Sequence, residues 1–98
     1  MERHVNHRGW MVLHSIESDD RRLCVDFFED NAGQFRFELL RSDPEDGGSW
    51  QSLSLYGASR SASLRDAAQN AVEEINWLTT QPRAAASFET WRREIALR

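Results

Sequence analysis

The best small-ligand candidate in this 98-residue chain is Gly57-Ala58-Ser59-Arg60-Ser61-Ala62-Ser63. It stands directly before a stretch with helical spacing, so helix N–H groups, hydroxyls and a guanidinium converge there, which are the ingredients of an anion site. Gly57, Ser59, Arg60, Ser61 and Ser63 are therefore the candidate residues for binding a small anion or a phosphorylated metabolite. The same residues also suit an ordinary capped connection from a strand into a helix.

The other reactive side chains are scattered. His4 and His7, with Glu2, are spaced to meet a divalent metal only if their segment were helical, and nothing in it would pre-organise the ligands. His14 has no nucleophile beside it to activate, and reads as a half-buried structural imidazole. Cys24 has Arg22 two residues away, which would lower its pKa, and Asp26 on the other side to counter that, so it reads as a structural thiol. Asp43, Glu45 and Asp46 beside Gly47 lack the ordered acidic spacing of a calcium loop. The serines at 52, 54, 59, 61 and 63 lack a G-x-S-x-G elbow. No catalytic residue, metal ligand or cofactor is assigned, and the chain reads as non-enzymatic.

The elements that must position these groups follow from hydrophobic period. Trp10-Met11-Val12-Leu13-His14-Ser15-Ile16 is apolar on both alternating sets and short, which predicts a strand over about 10–17, with His14 alternating with Trp10, Val12 and Ile16. Leu23, Val25 and Phe27 alternate with Cys24, Asp26 and Phe28 in a second strand over 22–29. Asp30-Asn31-Ala32-Gly33 supplies a turn, and Phe35, Phe37 and Leu39 face inward from a third strand over 34–42. Residues 43–48 contain Pro44 and two glycines and form a hairpin tip, before a fourth strand over 50–56 with Leu53 and Leu55 inward. The period then changes to 3.6: Leu64, Ala67, Ala71, Val72, Ile75 and Leu78 stripe one helix over 63–79, with Ser63 and Asp66 at its start and Pro82 beyond its end. Ala84, Phe88, Trp91 and Ile95 mark a shorter helix over 84–96. The expectation is a single α+β domain over 9–98 after a flexible start over 1–8: an antiparallel meander of three to four strands, then two helices.

Composition narrows the class. The single Cys excludes an internal disulfide, and no apolar run approaches the roughly 20 residues that span a bilayer. The first ten residues lack the apolar core of a signal peptide, which places the expected location in the cytoplasm. The net charge is −4, with eleven acids against six arginines in residues 1–50 and five against six in residues 51–98. An acidic chain with no basic stripe argues against general nucleic-acid binding. All twelve basic residues are Arg, which removes any lysine chemistry.

The stretch Phe27-Phe28-Glu29-Asp30-Asn31-Ala32-Gly33-Gln34-Phe35-Arg36-Phe37-Glu38-Leu39 resembles the opening of the YegP-like small domains, with their aromatic strand, D-x-x-G turn and G-x-[FY]-x-[FW]-x-L strand. Tyr56-Gly57-Ala58-Ser59 and the helix through Asn70 and Ile75 are similar to their later part, giving a resemblance over about residues 27–75. Residues 43–48 make a longer tip, Arg60 stands where a Lys is common, and the C-terminal piece reads as helix rather than a returning strand. The resemblance implies three strands and a helix per unit, with two units sharing a sheet, and no reaction.

Three functions are in view. The leading one is an interaction or structural module that forms a homodimer through the second sheet face, with Phe28, Leu40, Trp50 and Tyr56 uncovered or closed over by Phe88 and Trp91. The next is anion binding before the long helix. The third is single-stranded nucleic acid stacked on Phe28, Trp50 and Tyr56. No membrane contact is expected.

Overall fold

The computed structural model describes residues 9–43, 49–53 and 60–97. Four antiparallel strands form one meander in the order β1-β2-β3-β4: β1 (Met11–Glu17), β2 (Leu23–Glu29), β3 (Phe35–Asp43) and β4 (Ser49–Ser52). Helices α1 (Leu64–Glu74), α2 (Trp77–Thr80) and α3 (Pro82–Ala96) follow, giving an α+β arrangement. Among the described residues no helix is long and apolar enough to cross a membrane.

The period-2 alternation of β2 and β3 sorts their side chains onto two faces, with Phe27 opposite Phe37, Val25 opposite Leu39 and Cys24 opposite Leu40. Val25, Phe27 and Phe37 meet the helices in a core with Ala67, Ala68, Ala71, Ile75, Leu78, Ala84, Phe88, Trp91 and Ile95. The alanines on α1 let its backbone approach the sheet, and the three rings of Phe27, Phe88 and Trp91 fill the space under α3, with Phe27 and Trp91 centroids 4.4 Å apart. Both helices therefore lie on one face of the sheet.

β1 departs from simple alternation. Val12 pairs with Phe28 and His14 with Phe27, so Leu13 is an extra residue bulged out of the ladder. The bulge reverses the facing of everything before it. Val12 lies across from Phe28, and Trp10 turns to stack on Phe28 at 5.1 Å, whereas His14 and Ile16 face the helices. The even alternation of Trp10, Val12, His14 and Ile16 expected from the sequence is corrected accordingly.

The continuous helix expected over 63–79 is also corrected. Ile75 leaves the helical conformation at φ −117° and ψ 96°, and a new single turn, α2, begins after Asn76. Breaking there lets α2 pack on α3 while Ile75 and Leu78 both stay buried. Asn76, Thr79 and Thr80 are weak helix formers, and both threonine hydroxyls donate to the Asn76 carbonyl. β4 closes at Ser52 rather than running on. Leu53 still donates its N–H to the Leu39 carbonyl at 2.8 Å but is 47% exposed rather than inward, and Leu55 lies outside the described residues. The edge of β3 is taken up again by Ser61, which exchanges two 2.9 Å bonds with Phe35.

Two turns are tied by carboxylates. Asp30 accepts from the N–H groups of Ala32 and Gln34 and from Arg36 Nε at 2.8 Å, and Gly33 takes the positive φ of 77° that the tight turn needs. Asp19, in the turn between β1 and β2, accepts from the N–H groups of Arg83 and Ala84, while its own N–H donates to Gln81 Oε1 at 2.7 Å. A residue some 65 positions away thus caps α3.

Deleting Leu13 is expected to leave a cooperative unfolding transition with an unchanged urea m-value, because Val12 and His14 then pair with Phe28 and Phe27 in plain register. Deleting Asp26 from the central strand has no bulge to absorb it and should abolish that transition.

Candidate functional site

Of the expected anion residues, Arg60, Ser61 and Ser63 are described. Gly57 and Ser59 lie outside the described residues. Ser63 is the N-cap of α1 and accepts from the Asp66 N–H at 3.1 Å. Ser61 is buried, its backbone bridged to Phe35 and its hydroxyl accepting from Asn70 Nδ2 at 2.9 Å. These hydroxyls hold the connection together, and Asp66 already sets a negative charge against the first turn. Ser61 and Ser63 thus act as acceptors in the connection into α1.

Arg60 is different, since it is exposed and opens onto a groove that the sequence did not show. Two adjoining hollows, of about 350 and 340 Å3, share Asp66 and Gln69 as a common wall. Arg60 and Asn70 line the first, and Arg65 and Arg92 the second. Arg65 and Gln69 stand one turn apart on α1, as do Asp66 and Asn70, so the helix presents two parallel polar rows to the groove. Arg92 reaches across from α3, donating to Gln69 Oε1 with its guanidinium 5.7 Å above the Phe88 ring. Gln69 Nε2 in turn donates to Glu73. Among the described residues, none of Arg60, Arg65 and Arg92 forms an ion pair with a carboxylate. Arg65 and Arg92 were missed because only the fold brings α3 beside the start of α1.

Over its described residues Cys24, Phe28 and Leu40, the second sheet face, expected to be an open aromatic surface, is closed. Phe28 is 0% exposed, and Cys24, Leu40 and Glu38 are buried. Trp10 covers Phe28, and the Arg36 guanidinium lies 4.6 Å over Trp10 while bonded to Asp30. Phe88 and Trp91 belong to the opposite face, packed on Phe27, because α3 lies beside α1 rather than across the sheet. Trp50 pairs with Ser42 in β4, and Tyr56 lies outside the described residues. Of the expected interaction set, Phe28, Leu40, Phe88 and Trp91 are buried, and base stacking on Phe28 has no exposed ring to use.

Cys24 donates weakly to Asp26 Oδ1 at 3.4 Å, and Asp26 also accepts from Ser15 at 2.6 Å. Burial first, then the Asp26 carboxylate, push the thiol's pKa well up, so it is unreactive. Hydrogen bonding by the Gln34 N–H, aided by Arg36 and Ala32, holds the Asp30 carboxyl below its usual range. His4, His7, Glu45 and Asp46 lie outside the described residues, and Asp43 ends β3 opposite Ser49. No group of three described His, Cys, Asp or Glu residues is placed to hold a metal ion.

His14 lines a second cleft, of about 320 Å3, with Ser87, Thr90, Trp91 and Glu94. Its ring lies parallel to Trp91 at 4.7 Å, and its Nε2 is buried with no partner among the described residues. Comparison with protein-family models, with curated proteins and with solved structures returns no match to this chain.

Burial lowers the His14 pKa below the 6.5 of a free imidazole, against an opposing pull from Glu94. The unfolded chain therefore takes up the proton first, and stability is complete above 6.5, falling as pH drops from there toward the folded-state pKa. The urea midpoint should fall between pH 8 and pH 5, and that fall should shrink in His14→Gln.

Proposed function

We propose that the chain is a non-enzymatic interaction module that recognises an anionic group on its partner at the groove beside α1. The observation that carries this reading is the set of three guanidiniums, Arg60, Arg65 and Arg92, gathered on one groove without carboxylate partners among the described residues. The wall carries one carboxylate, Asp66, against three guanidiniums, which leaves a net positive charge for solvent and salt to offset when the groove is empty. Arg92 is held in place by Gln69 and the Phe88 ring, so less freedom is lost when an anion binds it. Arginine's planar fork suits carboxylate or phosphate oxygens in pairs.

An anion that occupies the groove raises thermal stability by mass action, about 2.7 kcal/mol at 100 times Kd. A melting-temperature screen across pyrophosphate, citrate and polyglutamate is expected to give a rise with at least one of them. That rise should vanish in the Arg65→Gln/Arg92→Gln double variant and diminish as sodium chloride is raised. A rise that survives the double variant places binding elsewhere and removes this reading.

Self-association into a homodimer is a second reading, now moved from the sheet face to the outer edge of β1. The observation behind it is Leu13, a large apolar side chain 39% exposed on the outer strand of the meander. Light scattering at micromolar concentration should then give about twice the 11.4 kDa chain mass, reverting to one chain mass in Leu13→Glu. A concentration-independent monomer for the parent chain ends this second reading.

A further inference from the structure

The groove offers acceptors as well as donors, and this distinguishes among anions. Asp66 stands in the wall shared by both hollows, between Arg60 on one side and Arg65 and Arg92 on the other. Asn70 uses Nδ2 on Ser61, and its Oδ1 has no partner among the described residues. Gln69 is engaged at both ends, with Arg92 and with Glu73. A phosphate ester offers chiefly acceptor oxygens near neutral pH, so Asp66 and the Asn70 carbonyl oxygen would find little to accept from it. A doubly charged phosphate also meets more repulsion from Asp66 than a singly charged carboxylate does. Both hollows are partly open to solvent, unlike the enclosing pockets that bury most of a small molecule.

Resting on the reading of the groove as an anion site, we propose that its occupant is an acidic peptide segment of a partner protein. Side-chain carboxylates of that segment bind Arg60 in one hollow and Arg65 and Arg92 in the other. Peptide N–H groups between them donate to Asp66 and to Asn70 Oδ1. The central carboxylate thereby acts as a filter: it accepts from a backbone and repels a polyphosphate. Two guanidinium-bearing hollows on either side of one wall require at least two acidic residues in the segment.

The test uses the full chain with three labelled or competing probes: an acetylated, amidated tetraglutamate peptide, the matching tetraglutamine peptide, and pyrophosphate. Fluorescence anisotropy is expected to show binding of tetraglutamate and none of tetraglutamine. Arg60→Gln/Arg65→Gln, both exposed and so harmless to folding, should weaken tetraglutamate at least tenfold. Asp66→Asn should weaken tetraglutamate less than the arginine variants do, and should improve pyrophosphate binding severalfold. Pyrophosphate bound more tightly than tetraglutamate by the parent chain overturns the peptide proposal while leaving the anion site in place. Failure of both anions to bind overturns both. Tetraglutamate binding that the arginine pair does not alter also overturns the proposal, since the peptide then sits elsewhere.

Discussion

Phe27 and Phe28 are consecutive in the central strand and so point to opposite faces of the sheet, yet neither is exposed to solvent. Burying a ring of this size contributes on the order of 2–3 kcal/mol, so a sheet with a ring on each side needs cover on each side. On one side two helices provide it, through small residues on α1 and the rings of α3. On the other side no described helix lies over the sheet, and Trp10 stacks on Phe28 beneath the Arg36 guanidinium. The Leu13 bulge is what makes this double cover work with a single edge strand. One strand sends Trp10 and Val12 to the Phe28 side and His14 and Ile16 to the Phe27 side, which strict alternation from Trp10 to Ile16 would forbid.

Local periodicity made most of this legible in the sequence. Alternation in residues 23–29 and 35–40 fixed which side chains of β2 and β3 share a face, because register there is regular. The stripe of Ala67, Ala71, Ile75 and Leu78 marked the buried side of the helical region, though the break at Ile75 left no mark in a pattern that α2 preserves. The bulge was illegible for a related reason: Leu13 is one apolar residue among several, and only the partner strand counts it as extra. The Asp19 cap on α3 joins residues far apart in sequence, where no local motif can operate. Within the groove, Arg60 was readable as a candidate from its place before a helix. Arg65 and Arg92 were not, since they join it only when α3 returns antiparallel to α1 and lies at its side.

The residues around residue 60 also show how structure competes with chemistry for the same groups. Ser61 and Ser63 carry hydroxyls suited to an anion, but a buried or capping hydroxyl that loses its internal partner leaves a backbone or amide group unsatisfied. The fold uses both as internal acceptors. The groups on long side chains that stay hydrated when unoccupied are the guanidiniums and the acceptors Asp66 and Asn70. A site of this kind discriminates weakly on shape and more strongly on the number and sign of charges, which suits an extended partner better than a small rigid one.

The groove is not mechanically separate from the core. Arg92 lies over Phe88, Phe88 contacts Trp91, and Trp91 packs against both Phe27 and the His14 ring. A ligand that holds Arg65 and Arg92 together pins α1 to α3 and thereby adds to the packing over Phe27. Conversely, a proton on His14 places charge against the other side of Trp91, where Nε2 has no acceptor among the described residues and Glu94 is the nearby countercharge. Both events act on how firmly α3 is seated on the sheet, one strengthening the seat and the other weakening it. On the reading proposed above, a ligand bound only by the folded form is linked to stability, so acid lowers its apparent affinity once unfolding becomes populated, by no more than the free energy the two processes share.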